Sequence, residues 1–415
     1  MSSESKRAAV DGDALGGRRV AHAILAGLSA NLVGIALARF AYTPLVPSLI
    51  EQHWFAVNDV VFLGAANLAG YLVGALLGRP MAARLGNAAT LRWMMVAVTA
   101  AFFGSAFPLS FPWFFSWRFL SGLAGGAIMV LVAATILPSV PERKKGLASG
   151  AIFLGLGLGI AGTGTLIPFL LNLGLREVWL GLGGLSTALT VATWTGWPTG
   201  ADEQATPLGR SPAAPSPALA KLFVSFALMA VGLVPPMVFL ADYVARGLGL
   251  GTHTGSLYWV IYGVGAILGP LGYSAVAERV GYGRALRLIL LIEAGAAVVL
   301  ARSHEPAVLM AAALVIGTFP PGIVPLMLGR IRSLLPGDAR AQNAAWSRAT
   351  TVFALTQAAA AYAYSYLFKA VQGQHVVLFL AAGAGMALAL LVDLVPIGAS
   401  PWTRARTEPE ARAGS

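Results

Sequence analysis

The chain has 415 residues, of which 57% are hydrophobic and 11% charged, against roughly 25% charged in an ordinary soluble domain. That balance excludes water as the main solvent, and the absence of cysteine excludes disulfides, thiol chemistry and thiolate-bound metals. The net charge of +11 fits either a nucleic-acid partner or a membrane protein whose Lys and Arg collect on the cytoplasmic side.

In chain order, residues 1–20 are polar and read as a flexible cytoplasmic tail, ending in Gly16-Gly17-Arg18-Arg19. Apolar runs long enough to cross a hydrocarbon core of ~30 Å follow near 21–48, 57–78, 91–109, 113–138, 146–171 and 178–197. The first is too long for a signal-peptide core, so no cleavage is expected. The stretch 198–220 is rich in Pro, Ala, Gly and Ser without apolar periodicity, which reads as a cytoplasmic linker. Six further runs lie near 221–245, 254–276, 285–301, 306–328, 344–368 and 376–397, and residues 398–415 form a cytoplasmic tail. The predicted fold class is therefore all-α: a polytopic membrane protein of 12 transmembrane helices in two six-helix bundles, 21–197 and 221–397. With the N-terminus inside, 22 of the 28 Lys and Arg fall on inner segments. Arg176, Arg246, Arg302 and Lys369 fall on outer loops, and Arg39 and Arg118 fall inside helices. The placement favours a lipid bilayer over nucleic acid and puts both termini in the cytoplasm.

Shifting the chain by 195 residues brings Gly74 onto Gly269, Leu76 onto Leu271, Ala82 onto Ala277, Arg84 onto Arg279, Gly86 onto Gly281, Leu91 onto Leu286 and Arg92 onto Arg287. Parallel repeats of six helices are the plan of transporters whose halves rock around a central site. The stretches Gly34 to Pro47, Ala66 to Leu76, Arg118 to Gly125, Phe153 to Ile160 and Gly317 to Leu328 carry a resemblance to the major facilitator superfamily, nearest to its YbfB/YjiJ-type branch. The resemblance spans nearly all of the chain outside the tails and linker. It implies a transporter fold and general transport activity, without a substrate. It also assigns Arg84, Glu278 and Arg279 to an inner gate and Arg118 to coupling. The chain departs from the superfamily where Ala83 replaces the acid that usually precedes Arg84, whereas Glu278 keeps it before Arg279. Closure of the inner side should therefore lean on the second half, with Glu278 pairing Arg143 or Lys144. The Gly-Pro pair of drug/proton antiporters would fall near Thr163-Gly164, where no proline exists.

Charge inside a membrane is expensive, about 2.5–3.5 kcal/mol per residue on insertion scales, so each such residue needs a reason. On helix 1, Asn31, Arg39 and Tyr42 fall within an arc of roughly 80° at 100° per residue. That stripe should face the central cavity, where the Arg39 guanidinium grips an anionic substrate or a gating carboxylate; the alternative is a structural pair with Asp59 or Glu51. Arg118 precedes Ser121, Gly122, Gly125 and Gly126, small residues that let another helix approach. It either takes part in coupling or hydrogen-bonds a neighbouring backbone. Glu293, among Leu290, Leu291, Ile292 and Ala294, either carries a proton or packs as a neutral group. Asp242, at the outer end of helix 7, either is solvated or forms a gating salt bridge with Arg39. Asp393 reads as solvated. Tyr71, Tyr258, Trp259, Tyr262, Gln357 and Tyr364 are candidate cavity lining. Pro235, Pro236, Pro320, Pro321 and Pro325 interrupt helices 7 and 10 and free carbonyls. Glycines 155, 157, 159, 162 and 164 should make one face of helix 5 flat against Gly263, Gly265 and Gly269 of helix 8.

The G-x-G-x-x-G of Gly157 to Gly162 lies in a membrane helix with no preceding strand, so it does not read as a dinucleotide site. His22, His53, His253, His304 and His375 lie at helix ends or in loops without metal spacing, and no phosphate-binding loop occurs. Together these lines describe a monomeric secondary transporter of the bacterial inner membrane, with no cofactor, metal or enzymatic role. It moves a small organic solute, weakly favoured to carry a carboxylate, by proton coupling or exchange. The alternatives are a proton-driven exporter of drug-like or sugar-like compounds, with Glu293 as carrier, and a transport-dead sensor on the same scaffold.

Overall fold

Hydrocarbon offers backbone groups no partners, so a chain this apolar must satisfy its N–H and C=O groups within each segment. The computed structural model, which describes residues 3–141, 144–198 and 216–396, is built of twelve successive helices with no strand among the described residues. In the first half, α1 runs from Ser3 to Glu51 as Ser3–Asn31, a π-helical Leu32–Phe40 and Tyr42–Glu51. It is followed by α2 (Val57–Leu85), α3 (Asn87–Ser105), α4 (Phe111–Ile136), α5 (Lys145–Leu171) and α6 (Leu175–Ala192). In the second half α7 (Pro217–Asp242) ends in a π-helical turn, Tyr243–Gly247. Then come α8 (Gly251–Val280), α9 (Tyr282–Arg302), α10 (Pro306–Leu334), α11 (Ala339–Ala370) and α12 (His375–Leu394). Nine of these helices are long and apolar enough to cross a membrane on those grounds alone; α6, α9 and α11 are the more polar three.

Helix α1 starts at Ser3, so the expected flexible tail is helical. Its Ala, Lys, Arg and Glu are good helix formers, and the helix runs on through Gly12, Gly16 and Gly17. The Pro198–Ala220 linker, apart from residues 198 and 216–220, and the C-terminal tail lie outside the described residues.

Two features show why the 195-residue repeat exists. Gly86 joins α2 to α3 and Gly281 joins α8 to α9, each as a single residue at φ 83° with ψ 152° and 151°, a region only glycine occupies without strain. Helix α2 packs on α4, and α8 packs on α10, through matching glycines. A methyl group on Gly74 would overlap the Leu123 carbonyl, and one on Gly269 would overlap the Thr318 carbonyl, 195 residues on in both members. Gly122 against Asn67 and Gly317 against Tyr262 repeat the same contact.

The buried residues form one cluster within each half and a third across the interface. In the third, Ile35, Phe40, Val61 and Ile160 join Phe239, Tyr258, Trp259 and Tyr262. The halves meet where α5 lies against α8 and α2 against α11. The glycine faces differ from expectation. Gly157 and Gly164 approach α8, but Gly155 and Gly159 pack on α1. On α8, Gly263 meets Ala161 of α5, while Gly265 and Gly269 serve α10. A helix that contacts neighbours on two sides needs small residues on both.

Candidate functional site

Arg39 lies in the π-helical part of α1, and such segments recur at functional sites because they break the regular hydrogen-bond ladder. Its guanidinium carbon stands 5.0 Å from the Tyr71 ring centre and 5.6 Å from that of Phe40. The residue is half-buried, and its Nε and Nη2 have no hydrogen-bond partner. No ion pair to Asp59, Glu51 or any other carboxylate is formed by Arg39 among the described residues. Across the interface, Tyr262 stacks on Trp259 with centroids 4.7 Å apart and planes 8° apart, and Trp259 in turn meets Phe40 at 6.1 Å. The Tyr262 hydroxyl is also buried without a partner. One cation and one hydroxyl, from opposite halves, thus keep free hydrogen-bonding capacity beside an aromatic wall.

The neighbours of Arg39 on the predicted stripe do not share this setting. Asn31 donates to the Ile152 carbonyl of α5 at 2.9 Å, and Tyr42 donates to the Val60 carbonyl of α2 at 2.6 Å; both are buried. The switch from α to π winding between them rotates the helix faces, so an arc computed at 100° per residue does not hold. Arg118 is buried on α4. It donates from Nη1 to the Ala38 carbonyl at 2.8 Å and covers the Tyr42 ring at 4.2 Å. Asn67 donates to Ser121 Oγ at 2.9 Å and reaches the Ala38 and Arg118 carbonyls at 3.3 Å. Arg118 therefore clamps the irregular turn of α1 that presents Arg39.

Glu293 is 2% exposed, while Leu291 and Ile292 beside it are 60% and 47% exposed, so its side of α9 faces the bundle. Its Oε1 accepts from the Tyr273 hydroxyl at 2.8 Å, and Thr318 Oγ1 lies at 3.4 Å. No Lys, Arg or His pairs with it among the described residues.

The halves are also in contact at the Glu51 end of α1. Helix α1 from Tyr42 to Glu51 touches α7 and α8, Thr43 donates to the Met237 carbonyl at 2.6 Å, and Thr252 donates to Glu51 at 3.4 Å. Beyond this seal lies a recess of about 300 Å³ lined by Ser48, Gln52, Pro168, Asn172, Thr252 and His253.

An Arg39–Asp242 gating bridge was due in this closed arrangement, and it is not formed. Asp242 is fully buried, and both its oxygens are taken within its own half: Arg246 by two contacts, one of 2.6 Å, and His375 Nε2 at 2.7 Å. The i, i+4 spacing to Arg246 makes that partner local. Asp393 is likewise buried rather than solvated, held by Arg287 Nε at 2.7 Å.

The remaining lining candidates are mostly packing. Tyr258 donates to the Pro306 carbonyl at 3.1 Å, and Gln357 and Tyr364 are 2% and 5% exposed. The gate candidates Arg84, Glu278 and Arg279 are exposed. Lys144 forms no ion pair with Glu278, and Arg143 lies outside the described residues. Sequence reasoning missed Tyr273, Thr318, Asn67 and the two partners of Asp242, Arg246 and His375. Arg246 at i+4 from Asp242 was the one local signal that could have been found.

Residues 31–394 match the family described as uncharacterised MFS-type transporter YbfB. Among individual proteins, YyaJ of Bacillus subtilis (strain 168), which carries the name of a metabolite transport protein, is 26% identical over 136 residues. That match covers 32% of this chain and only 30% of the length of YyaJ. Solved structures of similar fold include a D-xylose-proton symporter, with TM-score 0.71 at 16% identity over 90% of this chain and 97% of that one. Another is the xylose transporter XylE from E. coli in a partially occluded inward open conformation, with TM-score 0.69 at 17% identity over 91% and 98%. At these identities they share the fold. Members of this superfamily are membrane transporters and not enzymes, and with a match across nearly all its length the chain belongs to the YbfB-type family of the major facilitator superfamily.

Proposed function

We propose that this transporter moves a small organic solute bearing a carboxylate by alternating access, driven by protons or by exchange. The observation that carries the reading is Arg39: a half-buried guanidinium at the meeting of the halves, with two nitrogens unsatisfied and no ion pair to a carboxylate among the described residues. Leaving such a group unpaired costs several kcal/mol, which an anionic guest repays by accepting from the planar donor fork of Arg39. Tyr262 offers the second half's contact, and Glu293 is the coupling carboxylate.

The bundles 21–197 and 221–397 are the two rocking units. Both termini are cytoplasmic, the membrane is a bacterial inner membrane, and the protein is a monomer. In this orientation the end sealed by Thr43, Glu51 and Thr252 is the outer one. The test is counterflow in liposomes with a panel of carboxylates, neutral sugars and cations. Selective counterflow of carboxylates supports the reading. Movement of only uncharged solutes, driven by a proton gradient and lost in Glu293→Gln, favours the exporter instead.

A further inference from the structure

The two oxygens of Glu293 meet different surroundings. Oε1 is held by Tyr273, whereas Oε2 is buried without a partner. Glu293 also forms part of the wall of a cavity of about 10 Å³ between α7, α9, α10 and α12, about the volume one water requires. Most of that wall is apolar, with Leu233, Phe319 and Met386 in it. Two other wall residues, Gly232 and Ile316, share one property: each stands four residues before a proline, Pro236 and Pro320 respectively. Proline has no N–H, so neither carbonyl receives its helical hydrogen bond, and inside a membrane such a group needs another partner.

We propose that this cavity is a binding site for a single water molecule, which accepts a hydrogen bond from protonated Glu293 Oε2 and donates to the carbonyls of Gly232 and Ile316. Three partners suit a buried water. A hard cation gathers about six oxygens, and this wall supplies half that number. When Glu293 ionises, the water must turn one hydrogen to Oε2, and one carbonyl loses its partner. The proton arrives at and leaves from Oε2 through the water, and no bond between heavy atoms changes. Protonation is thereby tied to the proline-freed carbonyls of α7 and α10.

The titratable groups facing Glu293 are Tyr273 and Tyr262 on α8. Helix α12 brings Asp393, held by Arg287 at the end of the bundle, and α7 and α10 add none to the cavity wall. The link to transport rests on Glu293 being the coupling group; the water itself does not.

The test is a structure of the wild type at a resolution that shows ordered water, together with an infrared pH titration of the Glu293 carbonyl band, assigned by its loss in Glu293→Gln. A single peak within hydrogen-bond distance of Oε2 and both carbonyls is expected. In Pro236→Ala the restored N–H takes the Gly232 carbonyl, which removes an acceptor that only the protonated arrangement needs. The titration midpoint should then fall by roughly half to one pH unit. Pro320→Ala should act in the same direction and serves if the first variant does not fold. Absence of the peak, an unchanged midpoint in a folded variant, or replacement of the peak by thallium would each overturn the water site. Full gradient-driven transport by Glu293→Gln with the peak present would uphold the water and overturn its part in coupling.

Discussion

The two halves are built on one backbone plan and carry opposite chemistry. At α2 and α4 in the first half, and α8 and α10 in the second, glycines meet carbonyls at positions that correspond one to one across 195 residues. The intramembrane charges do not correspond. Arg39 and Arg118 stand where the second half has Val234 and Ala313, and Glu293 stands where the first half has Val98. Asn67, which ties Arg118 to α1, is matched by Tyr262, which stacks on Trp259 with its hydroxyl free. Close helix packing makes the same demand in both halves, so its residues recur, while solute and proton each need only one site. On the proposed reading, solute recognition falls to Arg39 of the first half and proton handling to the acid of the second.

Asp242 gives the largest expected effect. Replacing it by Asn breaks a buried contact with Arg246 and His375 and should cost about 3 kcal/mol of stability, the low end for a buried pair because Arg246 is partly exposed. Arg39→Gln should leave the melting temperature in detergent unchanged or higher, since no hydrogen bond or ion pair is lost and relief of the unpaired buried charge offsets the ring contacts with Tyr71 and Phe40. Equal destabilisation by both changes would erase the distinction between structural and functional charge.

Next come the repeated glycines. Gly74→Ala and Gly269→Ala should each cost about 1–3 kcal/mol by overpacking, and by similar amounts, because the clashing group is a backbone carbonyl in both. A large cost in one half alone would contradict the shared plan.

The smallest effect is a null. In a double-mutant cycle of Arg39→Ala and Asp242→Asn on outer-side accessibility, the coupling should stay within about 0.5 kcal/mol. Coupling well above that would mean the two residues meet in another state of the cycle.

The sequence made the helices, the repeat and the intramembrane charges legible, since each follows from local hydropathy or from a fixed offset. Arg39, Arg118 and Glu293 stood out because nothing close to them in the chain is charged. Their partners stayed hidden. Tyr273 reaches Glu293 from 20 residues away, and His375 reaches Asp242 from 133; such contacts depend on helix rotation and height, which periodicity does not set. The π-helical turn in α1 defeated the arc that grouped Asn31, Arg39 and Tyr42. Asp242 misled because its repeat position beside α1 suggested a partner across the interface, when Arg246 lay one turn along the same helix.

The central claim is that Arg39 is held free of hydrogen-bonding and ionic protein partners so that it can bind an anion. The most direct measurement is ligand-dependent thermal stabilisation of purified wild type, Arg39→Lys and Arg39→Gln by whichever carboxylate shows counterflow. The account predicts saturable stabilisation of the wild type and weaker stabilisation of Arg39→Lys, because an ammonium lacks the planar fork. Arg39→Gln should show none, with a ligand-free melting temperature at or above that of the wild type. Undiminished stabilisation of Arg39→Gln by the same carboxylate would contradict it.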